Sequence, residues 1–178
     1  MNNSVRFIPF SSNIIFYDTE FSSLDPYVGE ILSIGAVKMD GREFYCELEY
    51  RGEYSEWVRE NLLVTLTQPK LSRELARQKL SEFVGNSKPY ALAYINQFDT
   101  IYTKKLFVGE GEEPFYWLPL DFASILFGLG YDPEVYKYDN YTKLAKDLGV
   151  LVKEGHTHNA LDDARFLKDV YMALINRG

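Results

Sequence analysis

Residues 13–26 read NIIFYDTEFSSLDP: a run of large apolar side chains meets two carboxylates, Asp18 and Glu20, one residue apart, and small polar residues and a proline then stop it. In a strand, residues i and i+2 project to the same face, so both acids leave the sheet together near the strand's end. An arbitrary Asp-x-Glu is most often a solvated strand end. Here the IIFY run implies a central strand, and two carboxylates held side by side in such a place need protonation, a cation or a metal to compensate them. In open α/β sheets that end of the strand is also where ligands sit.

The remaining pattern says what kind of sheet this strand belongs to. Residues 13–19, 31–39 and 42–50 are rich in Ile, Val, Phe and Tyr, and Asp40-Gly41 between the last two is a hairpin turn, which predicts an antiparallel start. Helical spacing covers residues 55–63 and 70–85, with Pro69 between them and Gly85 closing the second. A short buried strand at 90–95 leads into a helix over 97–107, a turn at 109–114, a strand at 115–118 and a helix over 120–129. A tyrosine-rich connection, residues 130–141, precedes a short helix at 142–149, a loop, and a final helix over 159–176. Strands that lead and then alternate with helices predict an α/β domain, a mixed sheet flanked by helices. At 178 residues the chain is expected to form one domain over residues 1–178.

Composition narrows the function classes. No apolar run approaches the ~18 residues that cross a bilayer, and MNNSVRFIPF has neither the basic start nor the apolar centre of a signal peptide, so a cytoplasmic protein is expected. The lone Cys46 reads as a small core residue. A net charge of −7 argues against an extended non-specific grip on nucleic acid, which relies on Lys and Arg facing phosphates. It is compatible with a metal-dependent nuclease, because two divalent ions would bring −7 to about −3 and would themselves meet the phosphate.

Further acids fall where such ions could be held. Ala160, Asp163, Leu167, Val170 and Leu174 recur at steps of three and four, an apolar stripe with one acidic interruption, so Asp163 faces the core while Asp162 falls on the flank. A carboxylate in such a stripe is costly unless paired or metal-bound. His158, five residues earlier at the start of this helix, has an unperturbed pKa of ~6.5 suited to taking a proton from water near neutral pH. His156 reads as an idle loop residue. Asp99 alone reads as a helix-capping residue in NQFD, with Asn96 as the N-cap. Its helix, however, follows directly on a strand, which brings it to an end of the sheet.

The order Asp18-Thr19-Glu20, then YINQFD with Asp99, then HNALDDA with His158 and Asp163, resembles the DEDDh 3′–5′ exonucleases of the RNase H-like fold, over residues 14–174. FYDTEF together with WVREN at 57–61 is similar to the small bacterial RNase AS-type exoribonucleases, which prefer adenylate-containing RNA. The chain departs from many relatives in having FSSLDP where they carry TTGLDP. The resemblance implies a mixed sheet, antiparallel in its first strands and then parallel. It implies that Asp18, Glu20, Asp99 and Asp163 ligate two Mg²⁺ or Mn²⁺ ions, hard cations that suit oxygen donors. His158 would then act as general base, and Glu20 would also contact the terminal 3′ hydroxyl. Leu24 matches the residue that in relatives wedges against the terminal bases, and Phe21, next to Glu20, is placed to stack on a base.

The activity so implied is 3′-to-5′ removal of 5′-nucleoside monophosphates from single-stranded RNA or DNA ends and short oligonucleotides, with RNA favoured. DNA proofreading or trimming is the alternative, and small relatives are often homodimers. Two readings from other classes stand beside it. One is a binding module of the same fold that has lost catalysis, against which the full set of four carboxylates and a histidine speaks. The other is a nuclease that cuts internally, against which the His158–Asp163 spacing speaks, and which a circular single strand would discriminate.

Overall fold

The computed structural model describes residues 7–133, 141–152 and 158–177; His156 and most of the tyrosine-rich connection lie outside the described residues. Strand β1 (Ile14–Phe21) lies in the middle of a six-stranded sheet of order β4-β3-β2-β1-β5-β6. It pairs antiparallel with β2 (Ile31–Lys38), which pairs antiparallel with β3 (Glu43–Leu48). The hairpin turns at Asp40-Gly41, where Gly41 takes the positive φ of 89° that the turn requires. On the other side β1 is parallel to β5 (Tyr90–Ala93), and β5 to β6 (Leu120–Asp121). The outermost β4 (Lys70–Leu71) runs parallel to β3. The sheet is therefore mixed, antiparallel first and parallel later, and the protein is α/β.

Helices cover both faces, and β1 feeds both by alternation. Ile15 and Tyr17 enter a core with α1 (Arg73–Val84) and α2 (Gln97–Phe107). Ile14 and Phe16 enter a second core with α3 (Phe122–Gly128), α4 (Tyr141–Asp147) and α5 (Ala160–Asn176). By the same parity Asp18 and Glu20 belong to the α5 side and Thr19 to the α2 side.

Gly35 decides how closely α5 approaches. It pairs with Asp18 across the β1–β2 ladder. A Cβ built on it would lie 2.2 Å from both the Ala160 carbonyl carbon and the Leu161 nitrogen. The first turn of α5 thus lies directly on the backbone of β2, at the level of Asp18. Gly35→Ala is expected to destabilise the fold by about 2 kcal/mol or more through this overpacking, read as a lower urea midpoint.

Three local expectations are corrected. No strand forms at 115–118: Pro114 and Pro119 bracket the segment, Phe115 packs on Tyr17 with ring centroids 5.5 Å apart, and Trp117 stays 74% exposed, so pairing begins only at Leu120. The helix read over 55–63 forms over 56–62, but its residues Val58–Leu62 wind as a π-helical turn, whose Val58 and Leu62 pack on Leu32. Asn96 gives α2 no side-chain cap. Its amide is buried and bonds elsewhere, donating to the carbonyls of Ala91 (3.2 Å) and Leu120 (2.7 Å) and accepting from the Tyr17 hydroxyl at 2.7 Å.

Candidate active site

The last turn of β1 and the first turns of α5 meet on one face of the sheet. Asp18 and Glu20 point there by strand alternation. Asn159 caps α5, its side chain accepting from the N–H groups of Leu161 (3.1 Å) and Asp162 (3.2 Å), which fixes where the helix begins. Asp163 follows one turn later. Asp18, Glu20 and Asp163 each offer a carboxylate oxygen, and these atoms all lie within 4.8 Å of one another. Asp162 turns outward to Arg165, which donates to it at 2.7 Å and also forks onto Glu43. The helical stripe thus separates the two adjacent acids as the spacing indicates.

Asp99 and His158 are not in that group of three. Asp99 comes from α2, on the opposite layer, and Thr19 is its partner: the Thr19 N–H donates to Oδ1 at 2.9 Å and the Thr19 hydroxyl at 2.8 Å. The β1–β5 pairing ends at Phe16, so the Thr19 N–H lies beyond the reach of β5 and the carboxylate takes it. His158 immediately precedes Asn159 with a positive φ of 42°. Its ring meets Trp57 edge to face at 5.1 Å, and its carbonyl accepts from the Thr65 hydroxyl at 3.1 Å.

Crowding like charges away from water raises their pKa values. Burial, then the charges of Asp99, Asp163 and Glu20, hold Asp18 well above the usual carboxylate range. Burial, then Asp163 and Asp99, push Glu20 up to about 8. Burial raises Asp99 to about 7 against the pull of its Thr19 hydrogen bonds. Without a cation the cluster therefore retains protons near neutral pH.

The two residues expected to meet bases are placed differently. Phe21 stacks on Tyr102 (centroids 4.5 Å apart, planes 16° apart) and packs against the α1–α2 core, so one face of its ring is occupied. Leu24 is 69% exposed on the loop that follows β1. That loop is shaped without the glycine of TTGLDP. The Ser22 N–H donates to the Glu30 carbonyl and the Glu30 N–H to the Ser22 hydroxyl, each at 2.9 Å, while α2 holds the loop through Tyr102 to the Ser23 carbonyl and Lys105 to the Pro26 carbonyl.

This arrangement has counterparts among solved structures. Exonuclease I of E. coli bound to a 5cy-dT13 oligonucleotide superposes with a TM-score of 0.62 at 14% identity, covering 92% of this chain and 40% of that one. A zinc-bound E. coli Exonuclease I–ssDNA complex gives 0.64 at 13% identity, covering 91% and 39%. A product-bound exonuclease I gives 0.66 at 14%, covering 92% and 43%. The fold is that of the RNase H-like exonucleases.

Sequence adds a second likeness to this exonuclease fold. The chain is 36% identical over 95 residues to curated 3′–5′ exoribonucleases of Mycobacterium tuberculosis strains H37Rv and CDC 1551, a match over 48% of this chain and 56% of theirs. It thus spans little more than half the length of the curated relatives. No protein-family model matches. The exonuclease fold's carboxylate group also fits a divalent cation chemically: three hard oxygen donors converge, two of them with raised pKa values, and a cation is what would relieve them. Among the described residues no helix is long and apolar enough to cross a membrane.

Sequence reading misses Thr19 and Gly35, on which the geometry of the candidate site rests. The signal for Thr19 was present, since a residue between two same-face acids must point to the other layer. The signal for Gly35 was not, because only the packed helix shows what its missing side chain admits.

Proposed function

We propose that the chain is a metal-dependent 3′–5′ exonuclease that shortens single-stranded nucleic acid from its 3′ end and favours RNA. The observation that carries this reading is the group Asp18–Glu20–Asp163, gathered from β1 and α5 within 4.8 Å and too crowded to ionise fully without a cation.

Asp18, Glu20 and Asp163 would hold two Mg²⁺ or Mn²⁺ ions, with Asp99 beside them. When bound, the ions supply positive charge against the phosphodiester as negative charge develops on it. His158 accepts a proton from the attacking water, whose oxygen forms the new bond to phosphorus as the bond to the 3′ oxygen breaks. The leaving 3′ oxygen then takes a proton, and a 5′-nucleoside monophosphate departs. Glu20 is the acid suited to orient the terminal 3′ hydroxyl. Leu24, exposed on a loop tied down at both ends, is the apolar side chain available to wedge between bases, whereas Phe21 is held by Tyr102.

The names of the curated relatives support RNA as substrate. The oligonucleotide complexes of the structural neighbours support single strands and favour, as a second reading, a DNA-trimming enzyme. The test is a gel time course on 5′-labelled RNA and DNA of one sequence with Mg²⁺, Mn²⁺ or EDTA. A ladder that shrinks from the 3′ end, faster for RNA and stopped by EDTA, is expected. Intact oligomers in every lane, with folded protein, would count against it, and cleavage of a circular strand would replace it with an internal nuclease.

A further inference from the structure

His158 is reached from the segment between β3 and β4 by residues on either side of one small hydrophobic anchor. That anchor is the π-helical turn Val58–Leu62, whose buried Val58 and Leu62 lock onto Leu32 of β2. Trp57 sits just before it and Thr65 just after. The Trp57 indole is half exposed, so burial alone does not account for its place. Its carbonyl accepts from the Asn61 amide at 3.0 Å, which holds the residue to the turn, and its ring meets the His158 imidazole at 5.1 Å and 81°. The Thr65 hydroxyl lies 2.8 Å from the Leu62 carbonyl and 3.1 Å from the His158 carbonyl, so its single proton is shared between the turn and the histidine.

His158 sits where its own backbone is constrained. Its φ of 42° lies in the left-handed region, uncommon outside glycine, and Asn159, next along, spends its side chain capping α5. An imidazole that must meet a water in one orientation needs its ring and its backbone fixed separately. The indole packs against the first and the threonine hydroxyl bonds to the second.

We infer that Trp57 is a positioning residue: with Thr65 it carries the rigidity of the β2-anchored turn to His158 and sets the direction in which the imidazole accepts its proton. The inference rests on the exonuclease reading for its kinetic consequence, but not for its contact. Misorienting a proton acceptor slows the chemical step and leaves substrate binding alone.

The experiment compares wild type with Trp57→Ala, Trp57→Phe and Thr65→Val in initial-rate kinetics on 5′-labelled RNA with Mg²⁺, thermal melts confirming that each variant folds. Trp57→Ala is expected to lower kcat by about tenfold or more with KM within about twofold, and Trp57→Phe to recover most of the loss, since a positioning defect of this kind acts on the bound complex. Thr65→Val should give a smaller loss of the same kind. A raised KM at unchanged kcat would assign Trp57 to substrate contact and overturn the inference, as would unchanged kinetics.

An independent arm needs no turnover. The chain has two histidines, so in a His156→Gln background the imidazole resonances belong to His158 alone. They should move when Trp57 is replaced by Ala, because the indole ring current is lost. Unmoved resonances would sink the inference even if the enzyme is active. An inactive wild type whose His158 resonances do respond would instead strike at the exonuclease reading and leave the contact standing.

Discussion

Asp18→Asn and Asp163→Asn are each expected to abolish 3′-end shortening, with a loss of at least about 10³-fold in kcat, while leaving the fold intact. Each carboxylate is one of three whose oxygens converge within 4.8 Å among the described residues, so removing one takes away a charged donor that the others cannot replace. A loss of transition-state stabilisation of several kcal/mol, typical of a weakened metal centre, corresponds to about a thousandfold in rate. The same substitutions should raise the melting temperature of the metal-free protein at pH 8. Asp18 is held above its ordinary range by burial and by Asp99, Asp163 and Glu20, so a neutral amide there relieves repulsion. Higher stability with lost activity separates a functional site from a structural one. Hydrolysis within tenfold of wild type in both variants would remove this cluster from the chemistry.

The second large effect is a metal-dependent reversal of the pH profile. Glu20 moves from 4.5 in an unfolded chain to about 8 in the folded one, Asp99 from 3.8 to about 7, and Asp18 in the same direction. The folded protein therefore keeps protons that the unfolded chain releases, so stability falls as pH rises through this window. The contribution is fully present below about pH 4 and is lost as pH rises through about 7 for Asp99 and about 8 for Glu20. Melting in EDTA should accordingly decline from pH 5 to pH 8. Mg²⁺ competes with those protons and binds only the folded arrangement, so its stabilising shift should be small at pH 5 and largest at pH 8. An EDTA melting curve that rises between pH 5 and 8, or a Mg²⁺ shift independent of pH, would show that the carboxylates are not packed as described. In Asp18→Asn both slopes should flatten.

Much of this was legible in the chain because it rests on alternation. Period two along IIFYDTE puts Asp18 and Glu20 together, and steps of three and four along the last helix turn Asp163 inward and Asp162 out to Arg165. Contacts between distant segments were not legible. Asp99 looks like a capping residue in its own helix; only the fold shows that its partner is Thr19, eighty residues earlier. Asn96 likewise reads as a cap but serves the sheet. The FYWL run at 115–118 has strong strand propensity, which its flanking prolines override. Strand β4 spans two residues, too short for any period to register.

The seating of the last helix on Gly35 also has a consequence for the order in which the protein becomes competent. Asp18 and Glu20 are synthesised well before Asp163, and the two segments meet only when Ala160 and Leu161 settle on β2. Contacts so far apart in sequence form late, after the loop between them has closed. A nascent or partly folded chain thus carries two of the three acids but no third to complete their group. If the site is the nuclease centre proposed above, its activity would arrive together with native topology, and unfinished copies would be inactive.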